Sequence, residues 1–165
     1  MNKVLIILLV FSNFAYANHK KVTWEQLIPP DYDEKKEFEG IKWDTLQEDD
    51  EIMIAKIQSI LDNAPADKKW NGVDVEMNGF VSPLEYDKNG IREFFFVPYF
   101  GACIHSPPPP ANQIIFVKLN KPISVDDYYD NYVKIKGTLL VEESKKEIGV
   151  SGYSMKIDSI NLIDY

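Results

Sequence analysis

The chain is poor in the residues that usually carry chemistry: its 165 residues include one cysteine, Cys103, and two histidines, His19 and His105. A single thiol excludes an internal disulfide, so Cys103 has to be buried, metal-bound or paired with another molecule. There is no Gly-x-Ser-x-Gly elbow, because Gly149-Val-Ser151-Gly152 lacks the spacing, and no glycine loop shaped for phosphate. A Ser-His-Asp triad would have to recruit His19 or His105, and nothing marks a nucleophile for either. Acidic pairs such as Asp49-Asp50 and Asp126-Asp127 read as solvated helix starts and loops, and nothing favours a glycosidase pair. No recognisable catalytic machinery remains, and no enzyme is expected. Apolar runs of the roughly 20 residues needed to cross a bilayer are also missing, so no membrane span is expected.

The one short apolar run lies at the start. Met1-Asn2-Lys3 precedes an aliphatic stretch from Val4 to Val10, and Ala15-Tyr16-Ala17 gives a small-x-small ending. This is the pattern of a cleavable secretory signal over 1–17. No cysteine follows to carry a lipid anchor, so a soluble periplasmic protein beginning at Asn18 is expected. The formal charge of −8 becomes −9 once Lys3 leaves with the signal. Such a surface repels phosphate backbones and anionic lipid, which argues against nucleic-acid binding. An oxidising compartment favours paired cysteines, so a lone thiol sent there must be protected or used.

What is present divides into an N-terminal extension, 18–43, and a helix-plus-barrel unit, 44–165. Thr23-Trp24-Glu25-Gln26 has the form of a capping box and predicts a helical turn stopped by Pro29-Pro30. Residues 31–39 are charged and read as a mobile or surface-draped link, and His19 falls in a flexible tail. Thr45 to Glu48 form a second capping box. Met53, Ile54, Ile57, Ile60 and Leu61 then recur at helical spacing, predicting an amphipathic helix packed on a sheet. From Trp70 the period switches to two. Val73, Val75, Met77 and Val81 alternate with polar residues, and Gly79 allows a bulge or strong bend. Asp87-Lys88-Asn89-Gly90 predicts a hairpin turn, since Asn-Gly tolerates positive φ. Further strands are expected over 91–98, 112–119, 132–141 and 153–163, with a connection over 121–131 that has room for a short helix and a turn over 143–149. Five strands, a long first strand and a meander point to a mainly β fold with some helix: a small OB-fold-like barrel preceded by an amphipathic helix.

One segment is not explained by making a barrel. Between Pro98 and Asn112 the chain carries four consecutive prolines, Pro107, Pro108, Pro109 and Pro110, which impose a stiff extended run without backbone donors. Tyr99 and Phe100 flank it on one side and Asn112 on the other. In an extended chain Cys103 and His105 point the same way. A thiolate and an imidazole on one face suit zinc or copper. They equally suit a thiolate–imidazolium pair with a reactive thiol, or a buried structural cysteine beside a hydrogen-bonded histidine. Two ligands fall short of a zinc site, so the rest would come from His19, carboxylates or another protein.

Three stretches carry a resemblance: Asn78-Gly-Phe-Val-Ser-Pro-Leu-Glu85, the run Phe96 to Gln113 with its Pro-Tyr-Phe-Gly-Ala-Cys-Ile-His-Ser-Pro-Pro-Pro-Pro-Ala-Asn-Gln core, and Val133-Lys-Ile-Lys-Gly137. Together with Trp24 to Ile28 they are similar to a family of small exported Gram-negative proteins known mostly as a domain of unknown function. Some of its members are encoded beside zinc-responsive ABC transporter genes, together with a histidine-rich periplasmic zinc-binding protein. The resemblance implies an accessory role in metal handling, with transporter components as partners and Cys103 and His105 as the loop residues that matter. The sequence therefore leaves three functions open: a periplasmic accessory or binding protein, with zinc or copper as its metal; a metal-free interaction domain docking through Tyr99, Phe100 and the prolines; and a thiol-reactive enzyme.

Overall fold

The structure, a computed structural model, describes residues 18–43, 50–102, 108–129 and 131–163. The expected signal segment, the capping box at Thr45–Glu48, and Cys103, His105 and Pro107 lie outside the described residues.

Eight strands are numbered in chain order. β1 is Lys20–Lys21, β2 Val73–Asp87, β3 Gly90–Val97, β4 Ile115–Ile123, β5 Tyr132–Leu140, β6 Ser144–Lys146, β7 Gly149–Ser151 and β8 Tyr153–Leu162. β2, β3 and β4 form an antiparallel meander; β4 pairs in parallel with β8, β8 runs antiparallel to β5, and β5 closes onto β2. The result is a closed five-stranded barrel with the strand order of an OB-fold, as the alternating pattern predicts.

β2 makes the closure work. Its first half, Val73 to Phe80, pairs with β5, and its second half, from Phe80 onward, pairs with β3. The changeover falls next to Gly79, where a Cβ would meet the Val97 carbonyl oxygen at 2.6 Å and the Phe96 ring at 2.8 Å. Only a residue without a side chain lets the strand bend this close to β3. The alternation then fills the barrel: Val75, Met77, Phe94, Phe96, Val117, Ile135 are all buried in one cluster. Phe95 and Val97 point to the opposite face of β3, where they form a smaller cluster with Ala102 and Ile114.

Three boundaries differ from expectation. β4 begins at Ile115 instead of Asn112, because the backbone after the prolines turns into a 3₁₀ helix over Ala111–Gln113, with Gln113 N donating to the Pro110 carbonyl at 2.7 Å. The turn expected over 143–149 contains its own hairpin, β6–β7. The N-terminal tail, read as flexible, is built in: β1 runs parallel to β2 at Val75–Glu76, and His19 meets Asp158 at 2.8 Å.

Helix α1 spans Glu34–Glu37 and α2 Glu51–Asp62, the latter capped by the Asp50 carboxylate accepting from Met53 N at 3.0 Å. The apolar stripe of α2 does not lie mainly on the barrel. Ile57 and Leu61 pack with Ile41 and Phe38 in a separate small cluster, and Ile54 remains exposed. The reason is local: the link 31–43 supplies its own apolar residues, so the helix buries its face against the link. A last helix, α3 (Val125–Tyr128), is capped by Ser124 and lies in the connection between β4 and β5.

Candidate functional site

The loop that follows β3 is held at its base by apolar packing. Val97 and Ala102 at its near end and Ile114 at its far end are almost wholly buried with Phe95. Its far limb is fixed by polar contacts as well. The Ala111 carbonyl accepts from Gly152 N at 2.7 Å, and the Gln113 side-chain amide donates to the Trp24 carbonyl at 2.7 Å. Trp24 itself donates from Nε1 to the Asn78 carbonyl at 2.8 Å and stacks at an angle on Phe96, with centroids 5.1 Å apart. The described limbs of the loop are therefore clamped to both the barrel and the N-terminal segment.

Pro109 is buried, and Pro108 and Pro110 are half-buried. The described part of the proline run thus acts as a strut against the body of the protein. The outward surface belongs to Tyr99 and Phe100, 50% and 59% exposed. Phe100 meets Phe80 edge-on at 6.2 Å, and Phe80 packs on Tyr132 at 5.1 Å, so the exposed Phe100 ring rests on further aromatics from β2 and β5. Asn112 is fully buried, and among the described residues neither oxygen nor nitrogen of its side chain has a hydrogen-bond partner. Burying an amide unpaired costs roughly 1–3 kcal/mol.

Of the residues singled out in the sequence, Tyr99 and Phe100 are exposed, while Pro109 and Asn112 are buried and Pro108 and Pro110 half-buried. His19, considered as a further metal ligand, is engaged with Asp158. Among the described residues no group of three His, Cys, Asp or Glu side chains could hold a metal ion.

Sequence reasoning missed a charge cluster. Glu93, only 11% exposed at its side chain, accepts from Lys118 Nζ at 2.7 Å and from Lys146 Nζ at 2.8 Å. These hydrogen bonds and charges hold its carboxyl below the usual glutamate range, against the opposing effect of burial. The cluster ties hairpin β6–β7 to β3 and β4, and Lys146 also lies 4.5 Å over the Phe116 ring. The signal was present: a single carboxylate directly before Phe94-Phe95-Phe96 has to be partnered if the run is buried.

Fold and loop together define a small closed β-barrel whose most elaborate surface feature is a clamped loop topped by aromatics. A family model described as "Protein of unknown function (DUF3299)" matches residues 24–162, and the chain belongs to that family. A crystal structure of a DUF3299 family protein from Pseudomonas aeruginosa PAO1 is similar to it, with 31% identity and a TM-score of 0.70 over 89% of this chain and 97% of that one. No curated protein matches the chain.

Proposed function

We propose that the chain is an exported, periplasmic accessory protein that docks onto a protein partner through the loop between β3 and β4. One observation carries this reading: Tyr99 and Phe100 stand half or more exposed on a base that is otherwise buried and clamped. Large aromatic side chains on a preorganised support are what interface anchors require, since little ordering entropy is lost when they are covered. The signal-like start and the resemblance noted above favour an inner-membrane ABC transporter component as the partner. Cys103 and His105 supply two donors suited to zinc or copper. Two donors are too few for a closed site, so a metal held there would be shared with the partner.

Photo-crosslinking tests the reading. A photoreactive phenylalanine placed at Phe100 in the periplasmic protein of the source bacterium should trap one transporter subunit, and Tyr99→Ala should abolish the adduct. Absence of any adduct from position 100, or one that Tyr99→Ala leaves undiminished, would refute docking. Repeating the trap with chelator and with Cys103→Ser separates a metal-bridged contact from a metal-free one.

A further inference from the structure

A second surface feature lies at the seam where β4 and β8 separate. These strands pair in parallel only over Ile115–Val117 and Tyr153–Met155. Beyond that, β4 continues along β3 and β8 along β5. The gap between them, closed on its third side by the chain after β5, is an open groove of about 470 Å³. Phe116, Leu140, Met155 and Ile157 give it apolar surface, while Lys118, Asn120, Ser154 and Lys156 line it from the two strands. Glu142, Glu143 and Ser144 form the remaining wall.

The charges of this lining cancel: two ammonium groups face two carboxylates, in a chain whose overall formal charge is −8. Two of the four are already engaged, Lys118 by Glu93 at 2.7 Å and Glu142 by the Ser154 hydroxyl at 2.9 Å. Asn120, Glu143 and Lys156 are exposed. An anionic ligand would meet the carboxylates and a cationic one the lysines, so neither is favoured. A purely apolar ligand would cover polar walls without satisfying them. A ligand with one apolar face and a rim of groups that both donate and accept hydrogen bonds suits all of the lining.

We propose that this groove binds a neutral, hydroxyl-rich chain, a glycan segment, with sugar ring faces over the apolar surface and hydroxyls shared among Asn120, Glu143 and Lys156. Barrels of this strand order take oligosaccharides on their middle strands and on the loop between the fourth and fifth barrel strands. Here those parts are β4 and the 141–152 segment. The neighbouring β3–β4 face is closed by hairpin β6–β7, through Glu93 and Lys146. That leaves the seam as the accessible part of this surface.

The test is a titration of the isotope-labelled protein with chitotetraose and cellotetraose, followed by amide chemical shifts, with tetragalacturonate as an anionic control. At least one neutral tetrasaccharide should shift the amides of Asn120 and Lys156 with a sub-millimolar Kd. Asn120→Ala and Glu143→Ala should each weaken that binding about tenfold, while Phe100→Ala should leave it unchanged. No response in the groove to either neutral sugar at millimolar concentration would overturn the proposal. So would stronger binding of tetragalacturonate, or a response confined to Tyr99 and Phe100. Docking through the loop stands or falls separately, because neither surface uses residues of the other.

Discussion

The Tyr153 hydroxyl donates to the Leu27 carbonyl at 2.6 Å, joining residues 126 apart in sequence, and accepts from Asp67 N at 2.6 Å. Burial pushes this phenol up to about 12. Tyr153→Phe strands a buried carbonyl and an amide, and should lower unfolding free energy by about 1–3 kcal/mol in urea titrations. The pH dependence has a definite sign. A group whose folded pKa lies above its unfolded value of roughly 10 contributes fully below that pH and loses its contribution as pH rises toward 12. Wild-type stability should therefore fall across that window, and the fall should be smaller in Tyr153→Phe.

Glu93 should behave in the opposite sense. Its carboxyl is held low by the Lys118 and Lys146 hydrogen bonds, so its contribution is present above roughly pH 4.3 and is lost as pH falls through the folded value. Glu93→Gln should cost about 1 kcal/mol at neutral pH, since both lysines are partly solvated, and should flatten the acid limb. Hydrogen exchange at Val150 should accelerate in this variant, because Lys146 loses its tether.

At Gly79 the limit is space. Gly79→Ala would drive a methyl into the Val97 carbonyl and the Phe96 ring. Backbone cannot yield as a flexible side-chain end does, so a loss of about 3 kcal/mol is expected, at the upper end for overpacking. Denaturant midpoints with an unchanged m-value would confirm that the cost lies in the folded state.

Asn112 should separate stability from function. Its amide has no partner among the described residues, and replacing such a group by an apolar one of similar size removes a desolvation cost, so Asn112→Leu should be neutral or stabilising by up to about 1 kcal/mol. If the amide serves the loop's task, the same variant should lose the crosslink from position 100. Marked destabilisation in a thermal melt would mean that the amide is satisfied in the working protein.

Much of the barrel is legible in the sequence because burial on one face imposes period two. Val133, Ile135 and Leu139 are buried where the alternation puts them, and the chain turns between β2 and β3 within the expected Asp87–Gly90 segment, at Lys88 and Asn89. The failures have physical causes. Lys20 and Lys21 form a two-residue edge strand, too short for any periodicity. The β6–β7 hairpin has strands of only three residues each. The helix stripe from Met53 to Leu61 announces an apolar face but not what covers it, and Phe38 and Ile41 lie in a stretch dominated by charge. At the loop, composition could not show that Pro109 and Asn112 are buried while Tyr99 and Phe100 are exposed. Asn120, Glu143 and Lys156 carried no signal, because their grouping depends on where two strands part company.

The pairing of His19 with Asp158 and of Leu27 with Tyr153 sets an order of events for a chain made or threaded N-terminus first. The segment that emerges earliest has its partners in the strand that emerges last. Leu27, buried when folding is complete, lacks the Tyr153 hydroxyl on its carbonyl until Tyr153 to Leu162 closes between β4 and β5. A chain cut short before β8 therefore retains a four-strand sheet, β5-β2-β3-β4, whose outer edges on β5 and β4 lack their partner. Such fragments should be cleared by proteases or aggregate, so quality control of this protein rests on β8.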